Sequence, residues 1–238
     1  MKTYGSYNNF SEFSALLENG GCEYLILRNF EELTGEDVFV AGHADIDILC
    51  SDSRLLLKTI GAEEAYPVKA KEDSGIHFNI LIKEKKAAVD LREVGDGYYC
   101  TAWQEDMLKK RVPFSGFYVM DLKNLFYSLT YHAIVQKPAL SDEYQDRLLE
   151  MGKELGIAID AGRGVEQSLL HHLESFMRKH GYMYTYCTDK HVPLRRKAVG
   201  LSKNLIDKNI RLRMRHLFYD LRICGIEFLV RVKHTLFR

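Results

Sequence analysis

Asp45 and Asp47 stand two residues apart inside Ala44-Asp45-Ile46-Asp47-Ile48-Leu49, a run whose apolar members call for a core. Aspartate is disfavoured in strands, so the pair marks this run as unusual. With the strand period of two, both carboxylates leave one face, roughly 7 Å apart at the backbone, and repel. A hard cation between them relieves that repulsion, because Mg2+ binds through a few carboxylate oxygens together with substrate phosphate oxygens. Asp90, in Ala87-Ala88-Val89-Asp90-Leu91, adds a third carboxylate in a second strand-like run. Ions held by the three would polarise an α-phosphate, neutralise a leaving pyrophosphate and acidify an attacking hydroxyl. Asp90, on the acceptor side, is then the expected general base. A solvated sheet face carrying Asp45 and Asp47, with Asp90 ending a strand, produces the same spacing.

The flanking pattern supplies elements to position these residues. Phe10 to Glu18 has helical spacing between Asn9 or Ser11 and Gly20-Gly21, and Tyr24 to Leu27 reads as a buried strand. Asp52 or Ser51 caps a helix that runs through Ile60 to Gly61. Ile76 to Ile82 and Ala87 to Leu91 read as two strands of a hairpin joined by Lys83-Glu84-Lys85-Lys86, which brings Asp90 close to the strand of Asp45. A short helix near Trp103 to Lys110 and a strand near Phe117 to Met120 close this part. From Asp121 onward the periodicity is helical: Leu122 to Val135, a break at Lys137-Pro138, Ser141 to Leu155, Val165 to His180, and a basic, aromatic-rich helix over Leu201 to Phe237. The expected fold is α+β, a small mixed or antiparallel sheet palm with flanking helices over 1–120, followed by an α-helical lobe over 121–238.

Tyr24 to Leu33, then Gly42-His43-Ala44-Asp45-Ile46-Asp47-Ile48-Leu49, then Val89-Asp90-Leu91 resemble the nucleotidyltransferase superfamily with the polymerase-β type palm. More narrowly, they are similar to bacterial nucleotidyltransferases associated with surface-polysaccharide synthesis. The resemblance covers Tyr24 to about Leu91 and implies that Asp45, Asp47 and Asp90 ligate Mg2+ or Mn2+. It also implies an NTP as donor and a small-molecule or glycan acceptor. Arg28-Asn29 stands where the superfamily has the Gly-Ser that grips the triphosphate. Arg28 could clamp phosphate with its guanidinium, and Asn29 could donate an amide in place of the serine hydroxyl. His43, two residues before Asp45, is a further candidate for phosphate or metal-bound water, or a loop histidine with no such role. Lys137, just past a helix end that carries His132, is a candidate triphosphate clamp, although a lysine there also suits the helix dipole. Trp103 and Tyr98-Tyr99 either stack on a base or pack the core.

The remaining features bound the partners. Hydrophobic residues at 46% and charged residues at 28% give a chain able to build a core and exclude a disordered one. Lys and Arg equal Asp and Glu at 33 each, yet from Arg195 onward twelve basic residues face three acidic ones. That segregated charge favours an anionic partner, with a peripheral anionic membrane ahead of nucleic acid, unless the segment simply packs against the palm. Five scattered cysteines and an opening MKTYGSYNNFSEF with no apolar run predict a cytoplasmic protein, at most peripheral at the inner face of the membrane. Two other activities fit the same residues: a non-catalytic nucleotide- or nucleic-acid-binding or regulatory module, and an enzyme that adenylylates proteins.

Overall fold

The computed structural model describes residues 5–34, 45–61, 76–189, 191–219 and 221. Among them the fold is α+β, with one mixed sheet of seven strands: β1 (Ser6–Tyr7), β2 (Tyr24–Ile26), β3 (Asp45–Cys50), β4 (Ile76–Ile82), β5 (Lys85–Glu93), β6 (Val112–Phe114) and β7 (Phe117–Val119). Their spatial order is β1-β4-β5-β3-β2-β7-β6. Strand β3 runs parallel to β5 and antiparallel to β2, which makes these three the centre of the sheet. Ile46 and Ile48 of β3 and Ala87, Val89 and Leu91 of β5 are buried to within 1% of complete exclusion from solvent. The alternate positions, Asp47, Asp90 and Arg92, therefore leave the opposite face together.

Helices follow their caps. Helix α1 (Phe10–Asn19) starts at Asn9, whose side chain accepts from the Glu12 N–H at 2.9 Å, while Glu12 accepts from the Asn8 N–H at 2.7 Å. The Asn9 side chain thereby satisfies one of the donors that a helix start leaves open, and the Glu12 carboxylate ties the preceding residue back to the first turn. Helix α2 (Ser53–Thr59) is capped by Asp52, as its spacing predicts, and α3 (Thr101–Lys109) packs on β3. Helix α4 (Leu122–Tyr131), capped by Asp121, contacts α5 (Asp142–Glu154) and α6 (Val165–His180), and a short α7 (Arg196–Val199) follows. Helix α8 covers 210–219, and residue 221 is helical as well.

Several elements depart from the sequence reading for identifiable reasons. The β4–β5 connection is a two-residue turn, Lys83-Glu84, with φ of 50° and 64°, so Lys85 and Lys86 extend β5. Strand β6 has no sequence signal because Pro113 interrupts it, and it survives as an edge strand where a missing N–H costs little. The helix expected from Leu201 begins at 210 instead. Tyr184 N–H donates to the Leu205 carbonyl and Asp207 N–H to the Tyr184 carbonyl, which diverts the backbone into a β-bridge before the helix can start. Residues 222–238, including the rest of that basic segment, lie outside the described residues.

Helix α4 continues beyond Tyr131 as a π turn over His132–Gln136, closed by Lys137 N–H donating to the His132 carbonyl at 3.1 Å. Below it lies an aromatic core that joins residues on both sides of position 120. Trp103 stacks on Tyr182 at 5.4 Å, meets Tyr99 at 5.2 Å and Tyr131 at 5.9 Å, and donates its indole N–H to Asn124 Oδ1. Trp103 is thus a core residue, not a platform for a ligand.

Candidate functional site

The register of the central strands decides which side chains meet. Asp47 pairs with Asp90 across parallel β3 and β5, and both line one cavity of about 400 Å3. Arg28 and Asn29 enter the cavity from the turn after β2, because Leu27 N–H donates to the Asp47 carbonyl and holds that turn beside β3. Arg92, two residues beyond Asp90 on the same face, forms part of the wall. Helix α4 and its π turn contribute His132, Gln136 and Lys137, and α5 contributes Glu143, Tyr144 and Arg147. His191 stands at the rim.

Of the expected site residues, Arg28, Asn29, Asp47, Asp90 and Lys137 converge here. Asp45 occupies β3 opposite Ala88, two register positions before Asp47, and its side chain lies outside the described residues, as does all of His43. Among the described residues no group of three or more His, Cys, Asp or Glu side chains stands close enough to hold an ion.

Asp47 is buried and committed to Arg28. Arg28 Nη2 lies 2.7 Å from Asp47 Oδ1 and Nε donates to Oδ2 at 3.1 Å, a two-point carboxylate pair. Arg28 Nη1 donates to Tyr98 Oη at 2.9 Å. Burial works against the Arg28 charge, but the adjacent Asp47 carboxylate more than offsets it and holds the guanidinium protonated well above its usual range. A guanidinium expected to clamp phosphate is here spent on Asp47. Asn29 has φ of 54°, a left-handed conformation that asparagine tolerates better than most residues, and its Oδ1 accepts from Arg147 Nη1 at 3.3 Å. Asparagine thus serves the backbone where glycine is usual, and its amide helps to fix Arg147, which also pairs with Glu31 at 2.6 Å.

Arg92 is 5% exposed, pairs with Asp189 at 3.2 Å and lies 4.4 Å from the centre of the Tyr98 ring. Its Nε is buried without a hydrogen-bond partner among the described residues. Tyr98 and Tyr99 divide between two environments. Tyr98 faces Arg28 and Arg92, while Tyr99 enters the aromatic core and donates to the Ser128 carbonyl at 3.3 Å. The turn that leads into them needs Gly97, with φ of 77°, because a Cβ there would meet the Tyr186 carbonyl oxygen at 2.5 Å.

His132 is buried and neutral. Burial lowers its pKa well below the ordinary histidine range, and the Arg28 charge lowers it further. Gln136 Nε2 donates to the Tyr98 carbonyl at 2.9 Å, which turns Oε1, an acceptor, towards His132 Nδ1 at 2.9 Å. Nδ1, which also lies 3.1 Å from Tyr98 Oη, therefore carries the proton, shared between Gln136 Oε1 and Tyr98 Oη, and Nε2 is the ring's acceptor. An unfolded histidine protonates near pH 6.5, whereas His132 stays neutral, so below that pH the unfolded chain binds the extra proton. Stability is expected to fall as pH drops from 7.5 to 5.5, by up to about 1.4 kcal/mol per pH unit from this residue. Thermal unfolding of the protein and of His132→Asn across that range checks it, and an equal slope in both would refute it.

Sequence reasoning missed Arg92, Tyr144, Glu143, Arg147 and His191 as cavity residues. Arg92 was within reach, since it follows Asp90 by one strand period. The others approach from helices and a loop whose placement no local pattern encodes. No family model matches the chain, and neither does any curated protein or solved structure.

Proposed function

We propose that the protein is a metal-dependent nucleotidyltransferase, moving a nucleoside monophosphate from an NTP to a hydroxyl or phosphate of a small acceptor. The observation that carries this reading is Asp47 abreast of Asp90 at a cavity whose walls also bring Arg92, Lys137 and Arg147. Carboxylates on the sheet and cations around them suit a ligand that is anionic and arrives with a divalent ion. The donor set fits such an ion: it is all oxygen, and a carboxylate offers about four lone-pair sites, of which Arg28 takes two on Asp47.

Asp47 and Asp90, with Asp45 on the same strand, would hold Mg2+ or Mn2+, which supplies polarisation of the α-phosphate and neutralises the leaving pyrophosphate. Arg92, Lys137 and Arg147, which line the cavity, bind phosphate oxygens. Asp189 and the Tyr98 ring already fix Arg92, so little side-chain freedom is lost on binding. Asp90, half-buried, takes the proton of the attacking hydroxyl. The sugar or polyol of a surface glycan as acceptor rests on the resemblance alone.

The Arg28–Asp47 pair favours a second reading, in which a guanidinium has replaced the metal and the cavity binds an anion without chemistry. Calorimetric titration of the four NTPs with Mg2+ and with EDTA separates the two. The transferase reading expects one nucleotide to bind about tenfold more tightly or better with Mg2+. Affinity indifferent to EDTA would leave only the binding module.

A further inference from the structure

Among the described residues, five of the eight exposed large apolar side chains lie on α8 or just beyond it, and they are the most exposed of the eight. Ile210 is 74% exposed, Met214 41%, Leu217 47%, Phe218 63% and Leu221 60%. Their spacing of four, three, one and three residues places them in a single stripe along the helix. Lys208, Arg211, Arg213 and Arg215 are exposed beside them. The opposite edge of the helix is pinned to the fold: His216 is buried and 2.6 Å from the Cys187 carbonyl, and Tyr219 Oη lies 2.8 Å from His191 Nδ1. A groove of about 940 Å3 adjoins the stripe, with Arg213 and Leu217 of α8 in its wall. Arg195, Arg196 and Lys203 complete a basic rim over Leu201, and among the described residues no acidic one lines it.

We propose that α8 and this groove seat the protein on an anionic lipid surface. Apolar stripe and flanking cations are the two parts of an interfacial helix, one entering the acyl boundary and the other meeting lipid phosphates. No helix among the described residues is long and apolar enough to cross a membrane, so the contact lies in the plane of the surface. Because His216 and Tyr219 hold one edge, only the outer side of α8 is available, which suits a flat partner better than a groove that must wrap a helix. A second copy is disfavoured, since a self-complementary contact would set the basic flanks against each other. Nucleic acid would leave Ile210, Met214 and Leu217 without stacking partners, Phe218 being the stripe's one aromatic ring.

The test is co-sedimentation of the full-length protein with phosphatidylcholine vesicles and with vesicles that also contain phosphatidylglycerol. The protein should pellet with the anionic vesicles only, and less so as salt rises. Arg211→Gln with Arg213→Gln should weaken that binding about fivefold per charge. Phe218→Glu with Leu221→Glu should reduce it about tenfold or more, with an unchanged thermal midpoint showing that the fold persists. Equal pelleting with both vesicle types, or wild-type binding by either variant, would overturn the proposal. So would a dimer in sedimentation velocity that Phe218→Glu dissociates while vesicle binding stays the same, since the stripe would then belong to self-association.

Discussion

Asp90→Asn is expected to slow nucleotidyl transfer by about a thousandfold or more, the loss of several kcal/mol of transition-state stabilisation. Two roles end together in this variant, ligation of the ion and removal of the hydroxyl proton. The fold should tolerate it: Asn is close to Asp in size, Asp90 is half-buried, and the hydrogen bonds that hold β5 between β3 and β4 belong to the backbone. A midpoint lowered by no more than about 4 °C is expected. Single-turnover transfer and thermal unfolding, measured on one preparation, give both numbers. Turnover at the wild-type rate would remove Asp90 from the chemistry and with it the transferase reading.

Asp47→Asn should behave differently, and the difference follows from Arg28. Asp47 is the only carboxylate within ion-pair distance of the buried Arg28 guanidinium among the described residues, and removing its charge leaves a cation uncompensated in the interior. Breaking one side of a buried pair typically costs about 3–5 kcal/mol, or roughly 6–20 °C in midpoint for a chain of this size. Activity lost in this variant therefore says little about catalysis. The double variant Arg28→Met with Asp47→Leu is the control: an apolar pair should recover most of the stability without recovering transfer. If the single variant melts with the wild type, the pair does not hold these two segments together. Asp47 would then be free to serve an ion alone.

The sequence disclosed the parts of the fold that depend on local chemistry. Asp121 caps its helix as its side chain predicts, Asn9 and Asp52 are the caps out of two candidates each, and the period-two runs around Asp45 and Asp90 are strands. The adjacency of those two strands was also legible, because a hairpin carrying Asp90 had few other places to pair. What no local signal carried is how charges are shared once the chain is folded. Arg28 and Asp47 are nineteen positions apart and Arg92 and Asp189 ninety-seven, so each pair is a product of topology. For the same reason Arg28 looked like a phosphate ligand in the sequence and is a partner of Asp47 in the structure. The edge strand β6 and the delayed start of α8 were hidden by tertiary pairing, which overrode a proline in one case and helical periodicity in the other.

Tyr98 and Tyr99 hang from neighbouring α-carbons, one ring over Arg92 and the other wedged against Trp103 and Tyr131. Whatever shifts the interior rings is transmitted across one peptide bond to the cavity, so the placement of Arg28 and Arg92 is inherited from the fit of residues that no ligand touches. On the transferase reading, efforts to broaden the range of acceptors would do best to spare that interior and vary Glu143 and Pro193, exposed rim positions with no part in the aromatic cluster.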